Sequence, residues 1–299
     1  MTAAGAESSF VIEGPPDPDL ILIRDLIYQA SGIYHPDAKL ALLRDRCGRR
    51  MKEVKAASLR QYLEYLTAGP TQQAELVALL NEITIGETCF FRSQPQLDSF
   101  RQVVLAKVIA AKRKLLPRPL RIWSAGCSTG EEPYTISIVL QEESKDILEG
   151  WTFEILATDL NERSLEQAGK ATYGSHSTRY LTDYHKRKYF TPVGEDLQVQ
   201  PPVRSCVTFS RLNLSDEARL TRMTDFDVIF CCNVLIYFDL ASKRRVIEHF
   251  YKSLLPHGYL FLGRSESLFG VNKDFRLVHL PGSTAYVRGD RCQGRKQEP

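Results

Sequence analysis

Arg121-Ile122-Trp123-Ser124-Ala125-Gly126-Cys127-Ser128-Thr129-Gly130-Glu131-Glu132-Pro133-Tyr134 is the stretch that decides the fold. It opens as a short apolar run, passes into small residues with two glycines, and continues at once as a helical pattern. Strand, tight turn and helix start, in that order, form the place where an open α/β sheet holds a nucleotide-like ligand. Gly126 and Gly130 are four residues apart, so neither G-x-G-x-x-G nor G-x-x-x-x-G-K-[ST] is present.

The two glutamates narrow the ligand. A pyrophosphate at this helix start would be repelled by paired carboxylates, whereas a ligand carrying an ammonium and a sulfonium would be attracted. The charge pattern points to S-adenosylmethionine rather than NAD or ATP. A second reading stands beside it: Ser128 and Glu131 match S-x-x-E, a capping box that stabilises the helix end without any ligand. Further on, the apolar run 153–158 ends at Asp159. An acidic residue at the tip of the second strand can accept hydrogen bonds from ribose hydroxyls, or it can cap the next helix.

Working outward, strand-like runs lie at 120–124, 153–158, 206–210, 226–231, 258–262, 275–280 and 284–288. Helical patterns fall at 131–143, 161–169 and 241–254. This alternation predicts βαβ units and a largely parallel sheet, closed by an antiparallel hairpin around Pro281-Gly282. Residues 171–202 break the rhythm. They are tyrosine-rich and basic, with a turn at Thr191-Pro192-Val193-Gly194, and read as an inserted β lobe or as an irregular excursion. Before the sheet, apolar residues recur at helical spacing in four sets between 19 and 92, which predicts a small helical bundle, with Thr71 as a cap for its last helix. A linker helix is expected over 93–118, ending in Lys112-Arg113-Lys114 and Pro117. The boundaries are then 1–18 disordered, 19–92 helical, 93–118 linker, 119–288 α/β with 171–202 inserted, and a polar, disordered tail from 289 to 299.

Bulk composition excludes several classes. The chain has 299 residues, 43% hydrophobic and 25% charged, with a formal net charge of +3, too mild to argue for nucleic acid. Its seven cysteines form no C-x-x-C, which fits buried thiols in a reducing cytoplasm. Six scattered histidines suggest no metal site. No signal peptide and no membrane-spanning apolar stretch is visible.

Three further constellations are candidates. Asn233, at the end of the 226–231 run, can offer an amide to a ligand, and Tyr237 can line the reaction site or simply pack at the rim. Thr88-Cys89-Phe90-Phe91-Arg92 reads as an aromatic lid over a planar ligand, with Arg92 free to bind a carboxylate, or as packing beside a surface arginine. Arg44, Arg46, Arg49, Arg50, Lys52 and Lys55 form a basic helix face, either solvated or docked on an acidic surface.

Together the motifs resemble the CheR family of chemotaxis receptor glutamate O-methyltransferases. The match is carried by T-x-F-F-R at 88–92, S-A-G-C-S-T-G-E-E-P-Y at 124–134, A-T-D-L at 157–160, N-L at 213–214, N-V-x-I-Y-F-D at 233–239 and L-x-P-x-G-Y-L-F-L-G-R-S-E at 254–266. The resemblance implies a Rossmann-like class I methyltransferase domain with an inserted β-subdomain, preceded by an all-α domain. It implies S-adenosylmethionine as donor and, as acceptors, glutamates in the acidic helical cytoplasmic region of methyl-accepting receptors. Carried over residue by residue, the cofactor contacts it implies are Thr88, Arg92, Glu131 or Glu132, Asp159, Asn213, Leu214, Asn233 and Val234, with Gly126 in the turn. Arg92 and Tyr237 steer the acceptor, and Arg46, Arg49 and Arg50 face the receptor. A cytoplasmic monomer with no metal, nucleic-acid partner or membrane insertion is expected. Cys232 stands where many members have Arg, and Gly86 where a polar residue is frequent. The short turn at Val193-Gly194, without a double glycine, points to an enzyme independent of a receptor C-terminal pentapeptide. The rival functions are a methyltransferase for another acceptor and a non-catalytic receptor adaptor.

Overall fold

The computed structural model describes residues 16–84, 86–112 and 119–289. The expected disordered start up to residue 15, the tail from 290 and the basic end of the linker at 113–118 lie outside the described residues. The chain divides into two compact units, one up to Ile85 and one from Gly86 onward.

The first unit is helical: α1 (Pro18–Ser31), α2 (Leu40–Val54), α3 (Leu59–Thr67) and α4 (Gln72–Ile83). Their ends follow from local chemistry. Asp17 accepts from the Asp19 amide at the start of α1, Ser58 accepts from Gln61 at the start of α3, and Gly32 at φ 72° closes α1. Thr71 sits at the α4 N-cap position but its side chain makes no capping bond. Leu20, Ile23, Ile27, Leu43, Cys47, Tyr62, Leu66 and Leu79 are the buried faces of these helices.

The second unit is built on a seven-stranded sheet. Its strands are β1 (Leu120–Ala125), β2 (Phe153–Asp159), β6 (Val207–Arg211), β7 (Phe226–Cys231), β8 (Leu254–Leu262), β9 (Phe275–Leu280) and β10 (Ser283–Arg288). The order is β6-β2-β1-β7-β8-β10-β9. The first five are mutually parallel; β10 runs antiparallel between β8 and β9. The hairpin at the chain's end therefore inserts its second strand next to β8 and leaves β9 at the edge. The chain leaves β1 towards β2 on one side and returns as β7 on the other, so the carboxyl ends of β1 and β7 open a crevice at the switch point.

β3 (Thr172–Tyr173), β4 (Phe190–Val193) and β5 (Asp196–Val199) form a separate three-stranded antiparallel sheet between β2 and β6, with two short helices between β3 and β4. Its hairpin turns at Gly194-Glu195, one step later than the sequence suggested, because Pro192 and Val193 pair with Leu197 and Asp196. Tyr173, Tyr189, Phe190 and Val199 belong to the same buried cluster as the main sheet.

The segment expected to be a linker helix is part of the α/β unit. It forms α5 (Gln94–Ser99), a π-helical turn (Phe100–Val104) and α6 (Leu105–Lys112). Leu97, Phe100, Val104, Leu105, Val108 and Ile109 are buried in the sheet's core cluster, and the Phe100 ring meets Phe230 and Phe261 edge-on. Its end is fixed by a buried ion pair. Lys112 Nζ lies 2.7 Å from Asp227 Oδ2, which also accepts from the Arg121 amide at 2.8 Å. An apolar face this wide costs too much to leave in water.

Candidate active site

The 126–130 loop adopts three left-handed backbones in five residues: Gly126 at φ 82°, Ser128 at 50° and Gly130 at 94°. Two are glycines because a side chain would be strained and would collide. A Cβ on Gly126 would stand 2.3 Å from Val234 Cγ2, so the loop after β1 presses directly on the loop after β7. The turn is pinned to β2, since the amides of Gly126 and Cys127 both donate to the Thr158 carbonyl, at 2.7 and 2.9 Å.

Asp159 finishes this arrangement. Its Oδ2 accepts from the Ser128 amide at 2.7 Å and its Oδ1 from the Asn161 amide at 2.8 Å. Burial pushes its carboxyl above the ordinary range, while the amides of Asn161, Ser128 and Leu160 pull it back. A carboxylate offers about four lone-pair sites, so acceptor capacity remains for a hydroxyl. The Leu212 amide donates to the Asp159 carbonyl at 2.9 Å, which sets 212–214 beside it. Asn213 Oδ1 accepts from Ser215 in a tight turn, and Leu214 is buried.

The paired glutamates separate into two environments. Glu131 is 1% exposed, and both its oxygens are taken, Oε2 by the Thr129 hydroxyl at 2.7 Å and Oε1 by the Ser177 hydroxyl at 2.8 Å. It ties the turn to the inserted segment. Grouped with Glu132 as a cofactor-contact candidate on sequence, it is the more enclosed of the two, with both oxygens bonded within the protein. The capping box does not form either. Gly130 is the N-cap, and the Ser128 hydroxyl instead donates to the Gly86 carbonyl at 3.2 Å. Glu132, by contrast, is half-buried and accepts from the Ser124 hydroxyl at 2.7 Å. Burial raises its pKa, opposed by hydrogen bonds from Ser124 and the Cys232 thiol and by the charge of Arg92. Cys232 is within reach of Gln96 as well, its Sγ 3.5 Å from Oε1.

The 86–92 segment runs along this turn. A Cβ at residue 86 would lie 2.4 Å from the Ser128 hydroxyl, which explains the glycine there. The aromatic lid is not formed. Phe90 and Phe91 are buried, Phe90 edge-on to Tyr173 and Phe190 at 5.0 and 5.1 Å, and Phe91 stacked on His185 at 4.5 Å. They anchor the segment and leave Arg92 exposed, its Nη1 donating to the Glu87 carbonyl at 2.8 Å. Thr88 is half-buried in the same segment.

Asn233 follows β7 with φ 62°. Its loop is held by a residue that the sequence reading did not single out. Glu266 Oε2 accepts from the amides of Asn233 at 2.8 Å and Gly263 at 2.7 Å, and Oε1 from Ile236 at 3.2 Å. The motif at 254–266 ends on this glutamate, after an apolar strand, but gave it no role; in the fold Gly263 is buried and Glu266 half-buried. Tyr237 ends the short helix Leu235–Tyr237; burial raises its phenol pKa and Arg92 lowers it. Arg92 and Glu266 thus both act electrostatically on Glu132 and on Tyr237.

The three arginines offered as a docking face lie in the helical unit and are all paired within it. Arg50 forms a two-pronged bond with Glu75, at 3.1 and 2.8 Å, and Tyr62 donates to the same carboxylate at 2.8 Å. Arg46 lies 3.3 Å from Glu82; Arg49 lies 3.0 Å from Asp45 and 3.4 Å from Glu82. Arg50 is a packing element, its charge spent on Glu75; Arg49 keeps 56% of its side chain exposed.

Residues 18–84 match the family model of the CheR methyltransferase all-alpha domain, and residues 86–283 that of the CheR methyltransferase SAM-binding domain. The chain belongs to the CheR methyltransferase family. It is 35% identical to a chemotaxis protein methyltransferase of Vibrio cholerae, over 91% of this chain and 93% of the relative. A chemotaxis protein methyltransferase of Borreliella burgdorferi is 32% identical over 85% and 89%, and one of Pseudomonas aeruginosa 32% identical over 90% and 97%.

This CheR chain is an S-adenosylmethionine-dependent methyltransferase. Two partly buried carboxylates, Glu132 and Asp159, have their ionised forms disfavoured by burial, so a cationic ligand relieves a cost the protein already carries. No group of three or more His, Cys, Asp or Glu residues able to hold a metal occurs among the described residues. No helix there is long and apolar enough to cross a membrane.

Proposed function

We propose that this enzyme methylates glutamate side chains in the acidic helical cytoplasmic region of methyl-accepting chemotaxis receptors, acting in the cytoplasm as a monomer. The observation that carries the reading is the split of charge across one crevice. The Gly126 turn is flanked by Glu132 and Asp159, whereas Arg92 is an exposed cation within electrostatic reach of Glu132 and Tyr237. A cation is held on one side and an anion is received on the other.

When bound, S-adenosylmethionine supplies a methyl group activated by a sulfonium. Glu132 would balance the ligand's positive charge, Asp159 would accept from its ribose, and Gly126, Thr88, Asn213, Leu214, Asn233 and Val234 would shape the enclosure around it. A glutamate acceptor, with an ordinary pKa of about 4.3, is already an anion at neutral pH. No general base is therefore required. Arg92 orients that carboxylate. Tyr237, a phenol protonated at neutral pH, can donate a hydrogen bond to one oxygen and leave the other free to react. Glu266 fixes the loop that carries both Asn233 and Tyr237. Orientation of this kind is worth about 7–11 kcal/mol in the best cases.

The test is incubation of the purified chain with labelled S-adenosylmethionine and cytoplasmic receptor fragments, followed by peptide mass mapping. Base-labile methyl esters on glutamate support the reading. Transfer only to RNA or a small molecule, or receptor binding without transfer, refutes it. Arg92→Ala should raise the KM for the fragment about tenfold or more, the loss of a charge-assisted hydrogen bond.

A further inference from the structure

Phe269 is 97% exposed, yet its loop is firmly held on both sides. Leu268, immediately before it, is buried at 2% exposure, and its amide donates to the Tyr286 hydroxyl at 3.1 Å. The amides of Val271 and Asn272 both donate to the Leu268 carbonyl, closing the turn. Arg244 Nη2 donates to the Gly270 carbonyl at 3.1 Å. A side chain of this size gains nothing for the fold in such a place; burying it would be worth about 1.5–3 kcal/mol. The scaffold holds the ring out in water.

The loop is also continuous with the crevice. Glu266, three residues before Phe269, is the clamp on Asn233 and Ile236. Ile236 is 47% exposed and Leu240, one helical turn before Arg244, is 50% exposed. Arg244, Arg264 and Lys273 are exposed on the same two segments. Exposed apolar and cationic side chains thus share two segments that are tied together by the Arg244–Gly270 and Glu266–Ile236 bonds, a surface of definite chemistry.

We propose that Phe269, with Ile236 and Leu240, is the docking surface for an acidic amphipathic helix of the acceptor protein. The ring takes the apolar stripe of that helix, and Arg244, Arg264 and Lys273 take its carboxylates. This rests on the reading of the acceptor as a receptor glutamate. Such a residue arrives on a helix with acidic neighbours, so the surface beside the reaction site must accommodate a helix and not a free carboxylate.

The experiment measures methylation of a receptor cytoplasmic fragment by the full chain and its Phe269→Ser and Lys273→Glu variants. S-adenosylmethionine affinity is followed by calorimetry and self-association by sedimentation. Phe269→Ser should raise the fragment KM about tenfold, as for a central aromatic contact, with kcat and S-adenosylmethionine affinity unchanged. Lys273→Glu should raise KM most at low salt. An unchanged KM in Phe269→Ser, in a parent that methylates the fragment, overturns the docking surface alone. A parent that dimerises through this ring, with Phe269→Ser monomeric and KM unmoved, overturns it too and makes the patch a self-association face. A parent that leaves every receptor fragment unmethylated overturns both this proposal and the function on which it rests.

Discussion

Gly126→Ala is the most direct probe of how the crevice is built. At φ 82°, alanine pays a left-handed backbone penalty of about 1–2 kcal/mol. Its Cβ would also stand 2.3 Å from Val234 Cγ2 and 3.4 Å from Val234 Cβ and Cγ1. Val234 cannot retreat freely, because Asn233 before it is fixed through Glu266 and the adjoining Gly263 is as tightly packed. Relieving the clash by shifting the two loops should cost about 1–3 kcal/mol more. The expected loss is therefore about 2–5 kcal/mol. Both tryptophans, Trp123 and Trp151, lie in the α/β unit, so fluorescence-monitored denaturation reads that unit without interference from the helical one. A double-mutant cycle with Val234→Ala separates the two causes. The clash share, about 1–3 kcal/mol, should appear as favourable coupling, and the backbone share should persist. A Gly126→Ala protein within about 0.5 kcal/mol of the parent, or strict additivity with Val234→Ala, would refute the close approach of the two loops.

Asp159→Ala removes an acceptor of the Ser128 and Asn161 amides and should weaken S-adenosylmethionine binding about 10–100-fold; an unchanged dissociation constant by calorimetry removes Asp159 from the site. Because burial raises the pKa of Glu132 and Asp159, ligand affinity should fall as pH descends through their raised free-state values, with protons released on binding in that window. The sign for stability is the reverse: with folded values above the unfolded ones, about 4.3 and 3.9, the ligand-free protein loses stability as pH rises through the folded values, and Glu132→Gln should flatten that slope in pH-dependent melts. Arg50→Ala strands Glu75, which is 6% exposed, and should destabilise the helical unit by about 3–5 kcal/mol by circular dichroism, whatever it does to receptor binding.

Local chemistry alone placed the strands β1, β2, β6, β7 and β9 and the long helices between them to within a residue or two. Apolar periodicity, glycines in the turns and caps such as Asn161 and Asp239 act between neighbours in the chain, so they are legible without a partner. The same holds for the strand–turn–helix at 120–134 and the negative charge at its helix start. What the sequence could not decide were questions of pairing across long separations. Glu131 and Glu132 are adjacent and chemically identical, yet one is enclosed by Ser177 and the other meets Cys232. Phe90 and Phe91 look like a lid until Tyr173, Phe190 and His185 are folded around them. Arg50 looks like a docking charge until Glu75 arrives from another helix. A side chain's identity fixes what it can donate, accept or bury; which partner meets that demand depends on backbone segments tens to more than a hundred residues away, and only the packed tertiary structure brings those together.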